Sequence, residues 1–178
     1  MPKETLPARY HPLHVALHWV MFLLVVMMLG IGKTVLPGIP VDNPQKPFML
    51  QMHAVTRFFI TVLLVARLIL RFTTKRPAPA DAGHPFLNFA ARAVHVLLYL
   101  LLIGMAVSGS GLFQRANLPD VFNGAAPYPA DFFVYPMRIG HGLTSTLLLL
   151  LILLHAGAAL YHQFRLKDNL LSRMWFGK

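Results

Sequence analysis

The chain has 178 residues, of which 56% are hydrophobic and 12% charged, and its formal net charge is +10. A soluble domain carries about 25% charged residues, so this composition argues against a water-soluble protein, an unusually apolar soluble four-helix bundle included. The absence of cysteine excludes disulfides, iron–sulfur clusters and covalently attached c-type haem.

A membrane-spanning helix needs about 20 apolar residues, and four such blocks follow one another. The first covers about 15–35, from Val15 through FLLVVMML to Val35. Residues 1–17 hold three prolines and three charges before the apolar run starts, and that run lacks an obvious small-x-small cleavage site, so it is expected as a retained first membrane helix rather than a signal peptide. Pro37, Pro40, Pro44 and Pro47 separate it from the second block, about 50–71, with FFITVLLVARLIL. Pro77 and Pro79 precede the third, about 92–113, with VLLYLLLIGMAVSG. A long connection, about 114–138, leads to the fourth, about 139–163, with LLLLLILL at its centre. That connection holds Pro119, Pro127, Pro129 and Pro136. Its aromatics Phe122, Tyr128, Phe132, Phe133 and Tyr135 suggest a short segment lying at the interface. The expected architecture is an all-α bundle of four transmembrane helices, one membrane domain over 1–178.

Lysine and arginine are unevenly divided. The two termini and the second connection hold Lys3, Arg9, Arg67, Arg71, Lys75, Arg76, Arg92, Arg165, Lys167, Arg173 and Lys178. The opposite side holds Lys33, Lys46, Arg57, Arg115 and Arg138. The positive-inside rule then places both termini in the cytoplasm. Because these charges flank apolar blocks, the partner they imply is a lipid surface, not nucleic acid.

Ionisable residues inside spans are costly and read as functional. Six of the nine histidines fall in the blocks: His18, His53, His95, His141, His155 and His162. His141 and His155 are 14 residues apart, about −40° around the helix and about 21 Å along it. One face therefore presents imidazoles near both sides of the membrane. By depth, His18 pairs with His155 near the cytoplasm and His53 with His141 near the periplasm. Two imidazoles filling both axial positions of haem iron leave outer-sphere electron transfer as the chemistry. Interhelical hydrogen bonding by the same histidines is the alternative, and zinc is disfavoured by the lack of thiolates and carboxylates in the spans.

Arg57 follows His53 by one helical turn on the same face, and Arg67 and Arg71 form a second pair. Guanidinium matches the carboxylate geometry of haem propionates, while Arg71 is also placed to snorkel to the lipid surface. His162 and His95 remain near the cytoplasmic side, where either could exchange a proton with a quinone carbonyl or serve as an alternative ligand. His14, one turn before His18, could compete as a ligand, and His11 and His84 read as loop residues. Gly104, Gly109 and Gly111 suggest close packing or room for a porphyrin. Trp19 and Trp175 read as interfacial anchors.

Taken together, ALHW at 16–19, MHAV with ARLILRF through 52–72, AVHVLLYLLLIG at 93–104, HGLTSTLLLLLILLHAGAALYH at 141–162 and KDNLLSRM at 167–174 resemble the bacterial cytochrome b561 family. These pieces cover all four helices. The resemblance implies two haem b groups, with His18 and His155 on one iron and His53 and His141 on the other. It matches His162 to a quinone-site position and Arg67 and Arg71 to the family's basic pair. Arg57 has no counterpart there. It further implies a multi-pass protein of the bacterial inner membrane, similar to a small member that passes electrons from superoxide at the periplasmic face to ubiquinone. The alternative is a quinol-linked carrier serving a protein redox partner through the 114–138 connection, where the chain departs most from the family. A membrane anchor with structural histidines would bind no pigment at all.

Overall fold

The structure, a computed structural model, describes residues 7–176; Lys3 and Lys178 of the charge count lie outside them. Four helices are long and apolar enough to cross a membrane: α1 (Pro12–Gly38), α2 (Gln45–Thr73), α3 (Pro85–Arg115) and, after the short α4 (Leu118–Phe122), α5 (Pro136–Leu166). A 3-10 turn, Leu170–Met174, closes the described chain.

Each long helix extends a few residues beyond its apolar block, because its first turn is built from capping residues rather than lipid-facing ones. Proline stands at the first position of α1, α3 and α5, where its missing N–H costs nothing. His11 Nδ1 accepts from Leu13 N at 3.3 Å, and His84 Nδ1 accepts from Phe86 N at 3.2 Å. Both histidines expected in loops are thus helix caps. At the start of α2, Asn43 Oδ1 accepts from Gln45 N at 2.9 Å.

Phe58, Phe59, Leu100, Val107, Leu143 and Leu153 project outward and are exposed in the isolated chain. A belt of this kind is solvated by acyl chains, not by water. Inside the bundle, α3 packs most extensively on α5 and α1 on α2. Gly104 and Gly111 allow the first of these approaches. A Cβ at 104 would touch Thr144 Cγ2 at 3.4 Å, and one at 111 would overlap Met137 Sδ.

The two ends differ. At the terminal face, the chain ends and the α2–α3 connection are tied together. Tyr10 N donates to Arg173 O at 3.1 Å, Arg173 donates to Ala78 O at 2.8 Å, and Trp19 Nε1 donates to Met174 O at 2.8 Å. Trp19 and Trp175 meet edge to face at 5.6 Å, so these tryptophans fasten the tail to α1. At the opposite, loop face, the long connection folds into a small core of Ala116, Leu118 and Val121, packed against Leu50, Phe113, Tyr128 and Phe132. Most of its aromatics are therefore packing groups that roof the bundle, while Phe133 and Val134 stay exposed.

Candidate functional site

Two histidine pairs meet inside the bundle. His53 on α2 faces His141 on α5 with ring centres 6.5 Å apart and planes at 70°. His18 on α1 faces His155 on α5 at 6.3 Å and 79°. Two imidazole nitrogens each about 2 Å from one metal ion, on rings of ordinary size, put the ring centres about 6 Å apart. Both separations fit a shared axial metal and are too wide for direct hydrogen bonding between the rings. His95 on α3 is 5.1 Å from His155, closer than two rings on opposite sides of one metal ion would stand, so it packs against that pair.

The seven-residue spacing that aligns His141 with His155 also places Leu148 midway between them. Val25 stands seven residues after His18, and Ile60 seven after His53. Val25 and Leu148 are buried together, with Ile60, Leu102 and Ile152 against them. An apolar layer therefore separates the two levels on the same helix faces, since seven residues return within about 20° of the start.

Around His53 and His141 lies a cavity of about 540 Å³, within the range of cofactor sites. Glycines keep it open. A Cβ at Gly32 would come within 3.3 Å of His53 Cε1. One at Gly109 would lie 2.8 Å from Arg57 Cδ and 3.4 Å from His141 Cε1. Gly32 belongs to a π-helical turn of α1, Ile31–Val35, whose extra residue resets the face that α1 turns inward. His53 Nδ1 is buried without a hydrogen-bond partner, an expense a ligand would remove.

The run Ser108–Gly109–Ser110 of α3 supports this level, and only Gly109 of the three stood out in the sequence. Ser108 donates its single hydroxyl hydrogen to Gly104 O at 2.7 Å, so at its 2.8 Å contact with His141 Nδ1 it accepts. His141 is then protonated on Nδ1, and Nε2 keeps the lone pair a metal needs. Ser110 accepts from Arg57 Nη1 and donates to Ala106 O at 2.8 Å. The Arg57 guanidinium lies 5.9 Å from the Phe113 ring centre. All six acidic residues (Glu4, Asp42, Asp81, Asp120, Asp131 and Asp168) fall outside the four spans, and of these Asp131, in the long connection, lines the same cavity as Arg57. Lys33, Lys46 and Arg138 also line the cavity; exposed Arg115 does not.

At the other level, Arg67 Nε donates to Tyr99 Oη at 3.1 Å and the Arg71 guanidinium lies 5.4 Å from the same ring. Tyr99, which the sequence did not single out, holds both cations. Arg67 is within electrostatic range of His18, His95 and His155. His14 is buried and stacked on Tyr10 at 5.3 Å, with Nδ1 unpartnered, away from the ring pair. His162 stands apart from His95. Its Nδ1 lies 2.6 Å from Asp168 Oδ2, a partner the sequence did not reveal.

Two half-buried imidazole pairs with room and cations around them fit haem, which takes two nitrogen ligands and counter-charges for its propionates. The chain is similar to known proteins along nearly its whole length. It is 29% identical to the probable superoxide oxidase CybB of Yersinia pestis, covering 93% of this chain and 95% of that one. It is 26% identical to cytochrome b561 homolog 1 of Escherichia coli K12, covering 93% and 96%, and 27% identical to homolog 2, covering 94% and 92%. Residues 9–177 match the family model described as prokaryotic cytochrome b561. The chain belongs to the prokaryotic cytochrome b561 family, membrane electron carriers built around b-type haem.

Proposed function

We propose that this protein oxidises superoxide at its loop face and delivers the electrons to ubiquinone at its terminal face. Two haem b groups would be held by His53 with His141 and by His18 with His155. When bound, haem supplies reversible one-electron chemistry at iron. Arg57, and Arg67 with Arg71, would take the propionate charge. The excess of Lys and Arg at the terminal face supports a cytoplasmic position for that face in a bacterial inner membrane.

The observation that carries this reading is the excess of cations, Lys33, Lys46, Arg57 and Arg138 against Asp131, around the same cavity as His53 and His141. An anion such as superoxide is drawn to that potential. Lys33 Nζ and Lys46 Nζ are held by Thr146 Oγ1 at 2.8 Å and Ile39 O at 2.6 Å, so the charges are positioned rather than free. Two superoxide ions leave as two dioxygen molecules, and their two electrons reduce one quinone. The quinone takes two protons from the cytoplasmic side, with His162 as the group that hands them on.

Exposed Phe133 and Val134 beside that cavity support the second reading, a quinol-linked carrier that docks a protein partner through the long connection.

Stopped-flow mixing of the oxidised, purified holoprotein with enzymatically generated superoxide separates the two. Superoxide oxidation requires reduction of the b-haem bands at a rate that falls as ionic strength rises. Absence of reduction by superoxide, with rapid reduction by quinol, would overturn it in favour of the carrier.

A further inference from the structure

We infer that Asp168 is the positioning residue for His162, holding its Nδ1–H so that Nε2 is the nitrogen left to a quinone oxygen. This rests on the proposed quinone reduction at the terminal face and assigns the device that makes His162 fit for it.

In a continuous helix, residues six apart point to different sides and lie about 9 Å apart along the axis, so His162 and Asp168 could not meet. The chain brings them together in two steps. The helix widens into the π-helical turn His162–Leu166, and then the backbone reverses. Lys167 at φ 56° and Asn169 at φ 56°, one on each side of Asp168, are both left-handed. Lys167 ends the helix in that conformation at a steric cost and Asn169 adopts it readily, and between them they turn Asp168 back toward His162. Asp168 N completes the reversal by donating to His162 O at 3.4 Å.

The two carboxylate oxygens have separate tasks. Oδ1 accepts from Leu170 N at 3.1 Å and starts the 3-10 turn. Oδ2 takes the His162 ring at 2.6 Å. The hydrogen bond from His162 holds the Asp168 carboxyl below its ordinary value of 3.8, so it is a carboxylate at neutral pH and can only accept. Nδ1 must then be the donor. Arg173 is the other charge near this carboxylate. The same tail walls an open hollow of about 390 Å³ lined by Gln163 and Phe164, the residues after His162, with Arg9, Leu171 and Trp175. His162 Nε2–H gives its proton to the reduced quinone oxygen and regains one from cytoplasmic water, while the carboxylate stabilises the imidazolium between transfers. The electrons come from the haems.

The test is single-turnover reoxidation of the dithionite-reduced holoprotein by a short-chain ubiquinone. Asp168→Asn keeps an oxygen for Leu170 N but removes the charge and turns the atom facing His162 from an acceptor into an NH2 donor. Its rate at saturating quinone should fall about tenfold to a hundredfold, with an unchanged half-saturating quinone concentration and unchanged haem per chain. Asp168→Glu should recover part of the rate. His162→Asn should be as slow, and the double variant no slower than either single one. An Asp168→Asn protein reoxidised at the wild-type rate would overturn the proposal and leave Asp168 as a turn cap, as would weakened quinone binding with the saturated rate intact. If the wild-type protein is not reoxidised by quinone, the quinone-reduction reading itself fails, and this assignment with it.

Discussion

Ser108 accepts a hydrogen bond from His141 Nδ1 at 2.8 Å because its own hydrogen is committed to Gly104 O. The carbonyl of one α3 turn thereby decides which nitrogen of an α5 histidine faces the cavity. Outer-sphere hydrogen bonds of this kind are worth about 10- to 100-fold in metal affinity. Ser108→Ala is expected to weaken haem binding at the His53–His141 level by that order, read by haem transfer to apomyoglobin. The His18–His155 level should be unaffected.

The two levels should be separable by mutation. His141→Ala and His155→Ala are each expected to remove one haem and leave the other, since the apolar layer of Val25 and Leu148 lies between them. A pyridine haemochrome count per chain checks this. A variant that loses both haems, or neither, would contradict the pairing.

Arg57 is a cation among spans that hold no carboxylate, with Asp131 of the long connection on the wall of the same cavity. A nearby positive charge favours the reduced state of an iron centre, so Arg57→Gln should lower one midpoint potential by about 50 mV and leave the other in place. Gly109→Ala tests the same contact from the opposite side. Its Cβ would lie 2.8 Å from Arg57 Cδ, forcing the side chain to move, and the same potential should shift. Equal movement of both potentials in a redox titration would count against Arg57 as a local partner.

Acid should release the C-terminal tail. The Asp168 carboxyl is held below 3.8 by the His162 hydrogen bond. A depressed carboxyl contributes stability that is fully present above about pH 3.8 and is lost as pH falls through the lower folded value. The chain's two tryptophans, Trp19 and Trp175, both sit where the tail meets α1. Their fluorescence should change through that acid window in the wild type, and the transition should be missing in Asp168→Asn.

Much of this architecture is legible in the sequence alone. Four apolar blocks near 20 residues specify four spans, because hydrocarbon admits no unsatisfied backbone. The 14-residue step from His141 to His155 is a property of helix geometry alone, and depth then matched His18 and His53 to their partners. Proline and glycine marked the connections, although the helices run past the apolar blocks into capped turns that hydropathy does not register.

Other features depend on contacts between segments far apart in sequence or on breaks in helical regularity. Ser108 reads as an ordinary small residue until α3 lies against α5. Tyr99 becomes the holder of Arg67 and Arg71 only when α2 and α3 meet. The fate of the long connection's aromatics, packed as a roof over the bundle, was set by the surface they found at Leu50 and Phe113. His162 and Asp168 meet through a π-helical turn and two left-handed residues, departures from the 3.6-residue period on which sequence reading rests. Periodicity along one helix could therefore be read from the sequence, whereas the partner across the bundle and the local irregularity were decided by tertiary packing.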